Sequence, residues 1–176
     1  MAFDHLSISR TGEYSRVADP SWSDALDTSY SGIKGGRWNP PPLQALYLNQ
    51  SMTVALANAR RLIESTFAAS LEDVREDRLP DLQLVTVAEG GVFLDAVTPN
   101  GIAKLKLPTS YPSGVPHPPC QAIADDASRA GLDGVSTLSA VAPAEEELVV
   151  FGGSILNLVA RGARTPFGVW SVHAGY

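Results

Sequence analysis

A single cysteine, Cys120, rules out an internal disulfide in this 176-residue chain and agrees with a reducing compartment. At the start of an expected helix it reads as a small buried apolar side chain rather than a nucleophile. No apolar run approaches the roughly 20 residues of a membrane span, so no membrane integration is expected. Met1 to Arg16 carries neither the basic nor the apolar region of a secretory signal, and a cytoplasmic location is expected. His5, His117 and His173 are too widely separated to pair at metal-ligand spacing, so no metal is expected. Neither Gly-x-x-x-x-Gly-Lys nor Gly-x-Gly-x-x-Gly occurs, which removes the usual phosphate-loop and dinucleotide fingerprints. Positive charge is also scarce. The 13 Lys and Arg against 19 Asp and Glu leave a net charge of −6, which excludes nucleic-acid binding that rests on neutralising phosphates.

The composition, 44% hydrophobic and 18% charged, is that of a soluble globular protein. The length suits one domain, residues 1–176, with a continuous core. No repeat or low-complexity tract divides it. The pattern is mixed. Ser51 caps an expected helix running to Phe67, with Met52, Ala55, Leu56, Ala59, Leu62, Ile63 and Phe67 at helical spacing. Leu46 to Asn49, Leu82 to Ala88, Gly91 to Asp95, Gly134 to Leu138 and Glu147 to Phe151 read as strands, with Gly152 and Gly153 as a stop. A loop from Leu107 to Pro119 precedes a helix from about Cys120 to Ala130, closed by Gly131. Residues 13–36 read as irregular, with a short helix around Ser23 to Leu26, because Pro20, Gly32, Gly35 and Gly36 interrupt any period. Without a strict β, α, β, α rhythm, the expected class is α+β.

Chemistry concentrates in the hexapeptide Gly35, Gly36, Arg37, Trp38, Asn39, Pro40, whose arginine lies ten residues before Tyr47 on a strand. Paired glycines allow positive φ and close approach of a ligand. A guanidinium offers a planar fork for phosphate or carboxylate, and aromatic faces suit a flat ring. Anion plus flat ring describes a nucleotide. The same residues also make an ordinary turn plugged by Trp38, and both readings stand on residue chemistry alone.

Three further positions extend the motif: Arg16, upstream in Tyr14-Ser15-Arg16-Val17; Asn58, eleven residues after Tyr47; and Ser139, after the strand Gly134 to Leu138. With them the chain resembles, over most of its length, the RES-domain family, toxins of bacterial toxin–antitoxin pairs that destroy NAD and are similar to ADP-ribosyltransferases. The strongest block runs from Tyr14 to about Ile63, a weaker one from Gly134 to Phe151. The resemblance implies a single ADP-ribosyltransferase-like domain and NAD as substrate, with cleavage of the nicotinamide–ribose bond by glycohydrolase, phosphorylase or ADP-ribosyl-transfer chemistry. It implies a partner antitoxin of helix-turn-helix type and leaves a homodimer open. It assigns catalysis to Arg37, Tyr47, Asn58 and Ser139, and nucleotide contacts to Arg16, Gly36, Arg37, Trp38 and Tyr47. Trp38 also reads as packing that holds the Arg37 loop, and Arg16 equally as a surface arginine.

At position 58 the chain departs from its relatives, because the resemblance expects a glutamate there. Asparagine accepts a hydrogen bond but supplies no charge to an oxocarbenium-like state. Losing one such contact typically costs about 10² to 10³ in rate. Val54, Asn58 and Leu62 lie four apart, so the amide faces core or cleft. A buried amide satisfied by backbone groups and a site residue are both consistent with that placement. Glu145, Glu146 and Glu147 could supply a replacement carboxylate, although such a triplet usually marks a solvated strand start. Glu64 is rotated too far around the helix. A catalytically silent nucleotide-binding module, or a protein-interaction partner, is therefore the competing reading.

Overall fold

The computed structural model describes residues 3–176. In chain order it contains β1 (Ser7–Ser9), β2 (Gly12–Ala18), α1 (Ser29–Lys34), β3 (Ala45–Asn49), α2 (Met52–Phe67), β4 (Asp81–Val87), β5 (Val92–Ala96), α3 (Pro99–Lys104), α4 (His117–Arg129), β6 (Gly134–Leu138), β7 (Glu146–Phe151), α5 (Gly152–Leu158), β8 (Val159–Thr165) and α6 (Phe167–Trp170). The strands form one sheet in the order β1-β5-β6-β7-β3-β2-β4-β8, in which only β5 and β6 pair in parallel. The class is the mixed α and β expected from the sequence pattern.

The sheet nearly divides between β3 and β2. Each of the other pairs shares at least three rungs, whereas β2 and β3 meet at one, Ser15 opposite Asn49. Asn49 Nδ2 adds a side-chain stitch by donating to the Ser15 carbonyl at 3.1 Å. Strand alternation then sorts the core. Leu46, Leu48, Leu148 and Val150 meet Tyr14, Val85 and Val87 of the other half in an inner cluster. On the opposite face Ala45, Val135, Val149 and Phe151 pack under Cys120, Ala124 and Ala127 of α4. A third cluster joins Ala55, Leu56, Ala59 and Ile63 of α2 to Leu82, Phe167 and Trp170. Ser51 caps α2 by accepting from the Val54 N–H at 3.3 Å, as its sequence position implies.

Several boundaries differ from the sequence expectation. Residues 13–36 are not irregular, since most of β2 lies among them, and the helix there is Ser29–Lys34 rather than Ser23 to Leu26. The loop expected to reach Pro119 ends earlier: α4 begins at His117 and takes Pro118 and Pro119 into its first turn, where the missing N–H groups have no helical acceptor to lose. Gly152 and Gly153 do not stop the chain's regular structure. They open α5 directly after β7.

Candidate functional site

A cleft of about 520 Å³ opens where β2 and β3 part. Arg16 and Val17 line it from β2, Tyr47 and Asn49 from β3, Asn58, Arg61 and Leu62 from α2, Glu147 from β7, and Gly35, Gly36 and Arg37 from the loop before β3. Of the residues singled out in the sequence, Arg16, Gly36, Arg37, Tyr47 and Asn58 therefore share one hollow. Trp38 and Ser139 do not line it, and both are fully buried behind its walls.

The glycine loop is held from inside. Tyr47 Oη accepts from the Trp38 N–H at 2.9 Å and donates to Asn39 Oδ1 at 2.8 Å, while Asn39 Nδ2 donates to the carbonyls of Ser31 and Leu43. The phenol hydroxyl thus closes the loop. A Cβ on Gly36 would lie 2.5 Å from that oxygen, and Gly35 sits at φ +72, so both glycines answer to geometry. Burial pushes the Tyr47 phenol well above its ordinary value, which keeps it protonated and disqualifies it as a base at neutral pH. Asn39 is the loop residue that motif reasoning passed over. An Asn three residues after paired glycines was its available signal.

Arg37 is braced just as firmly. Its Nη1 donates to the Pro112 carbonyl at 2.9 Å, and its Nη2 donates to Thr137 Oγ1 at 2.9 Å and the Leu138 carbonyl at 2.7 Å. The guanidinium carbon lies 5.6 Å from the Trp38 ring centre and 5.4 Å from that of Tyr111. These three bonds use three of its five N–H groups and leave two for a ligand. Trp38 acts on the site through this contact, as packing beneath the arginine.

Across the cleft, Arg16 is left bare. Its Nε is buried without a hydrogen-bond partner, no ion pair forms with it among the described residues, and its contact is the Trp22 ring at 5.8 Å. Burial lowers its pKa from the usual range to about 10, against the opposing pull of Asp27 and Asp24, so it remains charged at neutral pH. Arg61 adds an exposed guanidinium one turn of α2 beyond Asn58.

Asn58 faces the cleft and gives both amide N–H groups to other side chains. Nδ2 donates to Asn49 Oδ1 and to Glu147 Oε1, each at 2.8 Å. Ser139 Oγ donates to the same Glu147 oxygen at 3.1 Å and accepts from the Val141 and Ala142 N–H groups. Ser139 therefore reaches the cleft only through Glu147. Reading the glutamate triplet as a solvated strand start fails at two of its members: Glu146 Oε2 pairs with Arg10 at 2.7 Å, and Glu147 turns into the cleft. Strand register explains the latter, because Glu147 shares a face with Val149 and lies directly opposite Asn49 on β3 and Thr137 on β6. Such long-range pairing leaves no mark in a local run of charge.

Together the fold and the cleft define an α+β domain with a cationic hollow at a break in its sheet and one carboxylate inside it. The chain belongs to the RES domain family, whose model matches residues 13–168. Among solved structures it is similar to a chain of the M. tuberculosis MbcT–MbcA toxin–antitoxin complex, with 21% identity and a TM-score of 0.81 over 97% of this chain and 92% of that one. No curated protein matches it. Among the described residues no helix is long and apolar enough to cross a membrane.

Proposed function

We propose that this chain is the toxin of a toxin–antitoxin pair and that it destroys NAD by cleaving the bond between nicotinamide and ribose. Membership of the RES domain family and the likeness to a chain of the MbcT–MbcA complex support the toxin reading. The observation that carries the chemistry is the cleft itself, where Arg16 and Arg37 approach one hollow from opposite walls beside the Tyr47 ring. Its volume falls within the range of small-molecule and cofactor sites. Two guanidinium groups suit a diphosphate through charge-assisted bonds, and the aromatic face suits a flat base or sugar. NAD is the substrate here, and no metal enters the reaction. ADP-ribose passes to water, phosphate or a protein side chain, and a helix-turn-helix antitoxin is the expected partner.

Purified protein mixed with NAD should release nicotinamide, and Arg37→Ala should abolish the release. Absence of turnover at high protein concentration, with water and phosphate both offered, removes this reading. Asn58 motivates the second reading, a nucleotide-binding module without catalysis. Calorimetry that records ADP-ribose binding by a protein inert toward NAD selects it.

A further inference from the structure

Arg16, Arg37, Arg61 and His117 make the cleft wall basic, and Glu147 is the one carboxylate residue on it. The Glu147 backbone is locked between β3 and β6 by ladders on both flanks, so the side chain starts from a fixed point in mid-sheet. Its Oε1 is held by Asn58 Nδ2 at 2.8 Å and Ser139 Oγ at 3.1 Å. Asn58 is fixed in turn by Asn49, the residue that stitches the two halves of the sheet together. Its Oε2 accepts no hydrogen bond among the described residues and is the oxygen left to face a ligand.

We infer that Glu147 is the catalytic carboxylate of the cleft, stabilising positive charge at the ribose C1′, and that Asn58 is a positioning residue that aims it. The inference rests on the NAD-cleaving reading and locates its missing charge. In the step assigned to it, the C1′–nitrogen bond of NAD breaks and its electron pair goes to the ring nitrogen, which departs as neutral nicotinamide. The cation left at C1′ faces the Glu147 carboxylate until a water oxygen supplies a new electron pair, and the proton of that water passes to solvent. An anionic group fixed before the charge develops costs no reorganisation when it does. The chain thus holds a negative charge on strand β7 beside position 58 while carrying an amide at 58 itself, the two joined by a single hydrogen bond.

The test follows nicotinamide release and ADP-ribose binding in parallel. Glu147→Gln keeps the size and the contact to Ser139 and removes the charge. Its kcat should fall about 10² to 10³-fold, with KM and ADP-ribose affinity within a few-fold of the parent. Asn58→Ala should lower kcat by up to about 10²-fold at unchanged KM, as expected for misaimed chemistry. The exchanged pair, Asn58→Glu with Glu147→Asn, returns a carboxylate to the same spot from the opposite element and should recover most of the loss, which also guards against misfolding of a single variant. Glu147→Gln turning over at the parent rate overturns the assignment and leaves the NAD reading intact. Parent protein that binds ADP-ribose yet releases no nicotinamide overturns that reading, and this assignment with it.

Discussion

The two walls of the cleft differ in how far their polar groups are paired. On the Arg37 side most polar groups are paired: the Tyr47 hydroxyl both donates and accepts, Asn39 uses its amide fully, and Arg37 is tied to three oxygens, with the buried Trp38 Nε1 as the exception. On the Arg16 side a buried guanidinium nitrogen has no partner at all. A satisfied wall is rigid and contributes shape. An unsatisfied one holds back hydrogen-bonding capacity that the fold alone leaves unused, and an anion arriving there gains more than it would at a wall already paired.

Against that contrast, removing Arg37 should have the largest effect. Arg37→Ala strips three charge-assisted bonds and leaves the carbonyl of buried Pro112 unmet, while Leu138 keeps the Thr137 hydroxyl as a donor, so nicotinamide release should vanish and stability should drop by about 2–4 kcal/mol in urea titration. Stability within 0.5 kcal/mol of the parent would show that the braced wall is not braced. Tyr47→Phe should come next, at about 1–3 kcal/mol, because it orphans the Trp38 N–H and the Asn39 oxygen together. A double-mutant cycle sharpens this case: Gly36→Ala should destabilise the parent by more than it destabilises Tyr47→Phe, since the atom its Cβ meets first is then gone.

Arg16→Met should behave in the opposite sense. It removes a buried, unpaired charge, so the melting temperature should rise by a few degrees, about 2–4 °C per kcal/mol, while ADP-ribose affinity falls at least about tenfold. The sign of the pH dependence follows from the lowered pKa. Below about 10 the guanidinium is charged in both folded and unfolded chains, so its cost is constant through neutrality. Above that value the folded form sheds its proton first and stability attributable to Arg16 rises with pH, a rise the Met variant should lack. A variant that melts below the parent would place Arg16 with the braced wall. Smallest of all, Ser51→Ala should cost about 0.5–1 kcal/mol through the lost α2 cap and leave ADP-ribose binding unchanged by calorimetry.

What could be read in advance followed the burial of each segment. Helix α2 and strands β3 to β7 carry regular apolar periods because they pack against core on at least one face. Strand β2 was hidden by its place at the cleft: alternation in Gly-Glu-Tyr-Ser-Arg-Val-Ala is broken by the arginine that lines the hollow. Strand β8 lies past the expected stop at Gly152 and Gly153, and with Arg161 and Arg164 on a sheet edge it carries no apolar run to announce it. In the cleft, Arg37, Tyr47 and Asn58 were marked by spacing together with the family resemblance. Glu147 was marked only as one of three adjacent glutamates that could replace the missing carboxylate, because which of them enters the cleft depends on the residues that two other strands place beside it.

The lone rung between Ser15 and Asn49 carries one more implication. Two sheet halves joined at a single point transmit little to each other through their backbones, so each should open toward solvent on its own schedule. A bound dinucleotide touching Arg16 on one side and Arg37 on the other would act as the missing rungs. Its signature would be slowed amide exchange in β4, a strand that contributes nothing to the cleft wall.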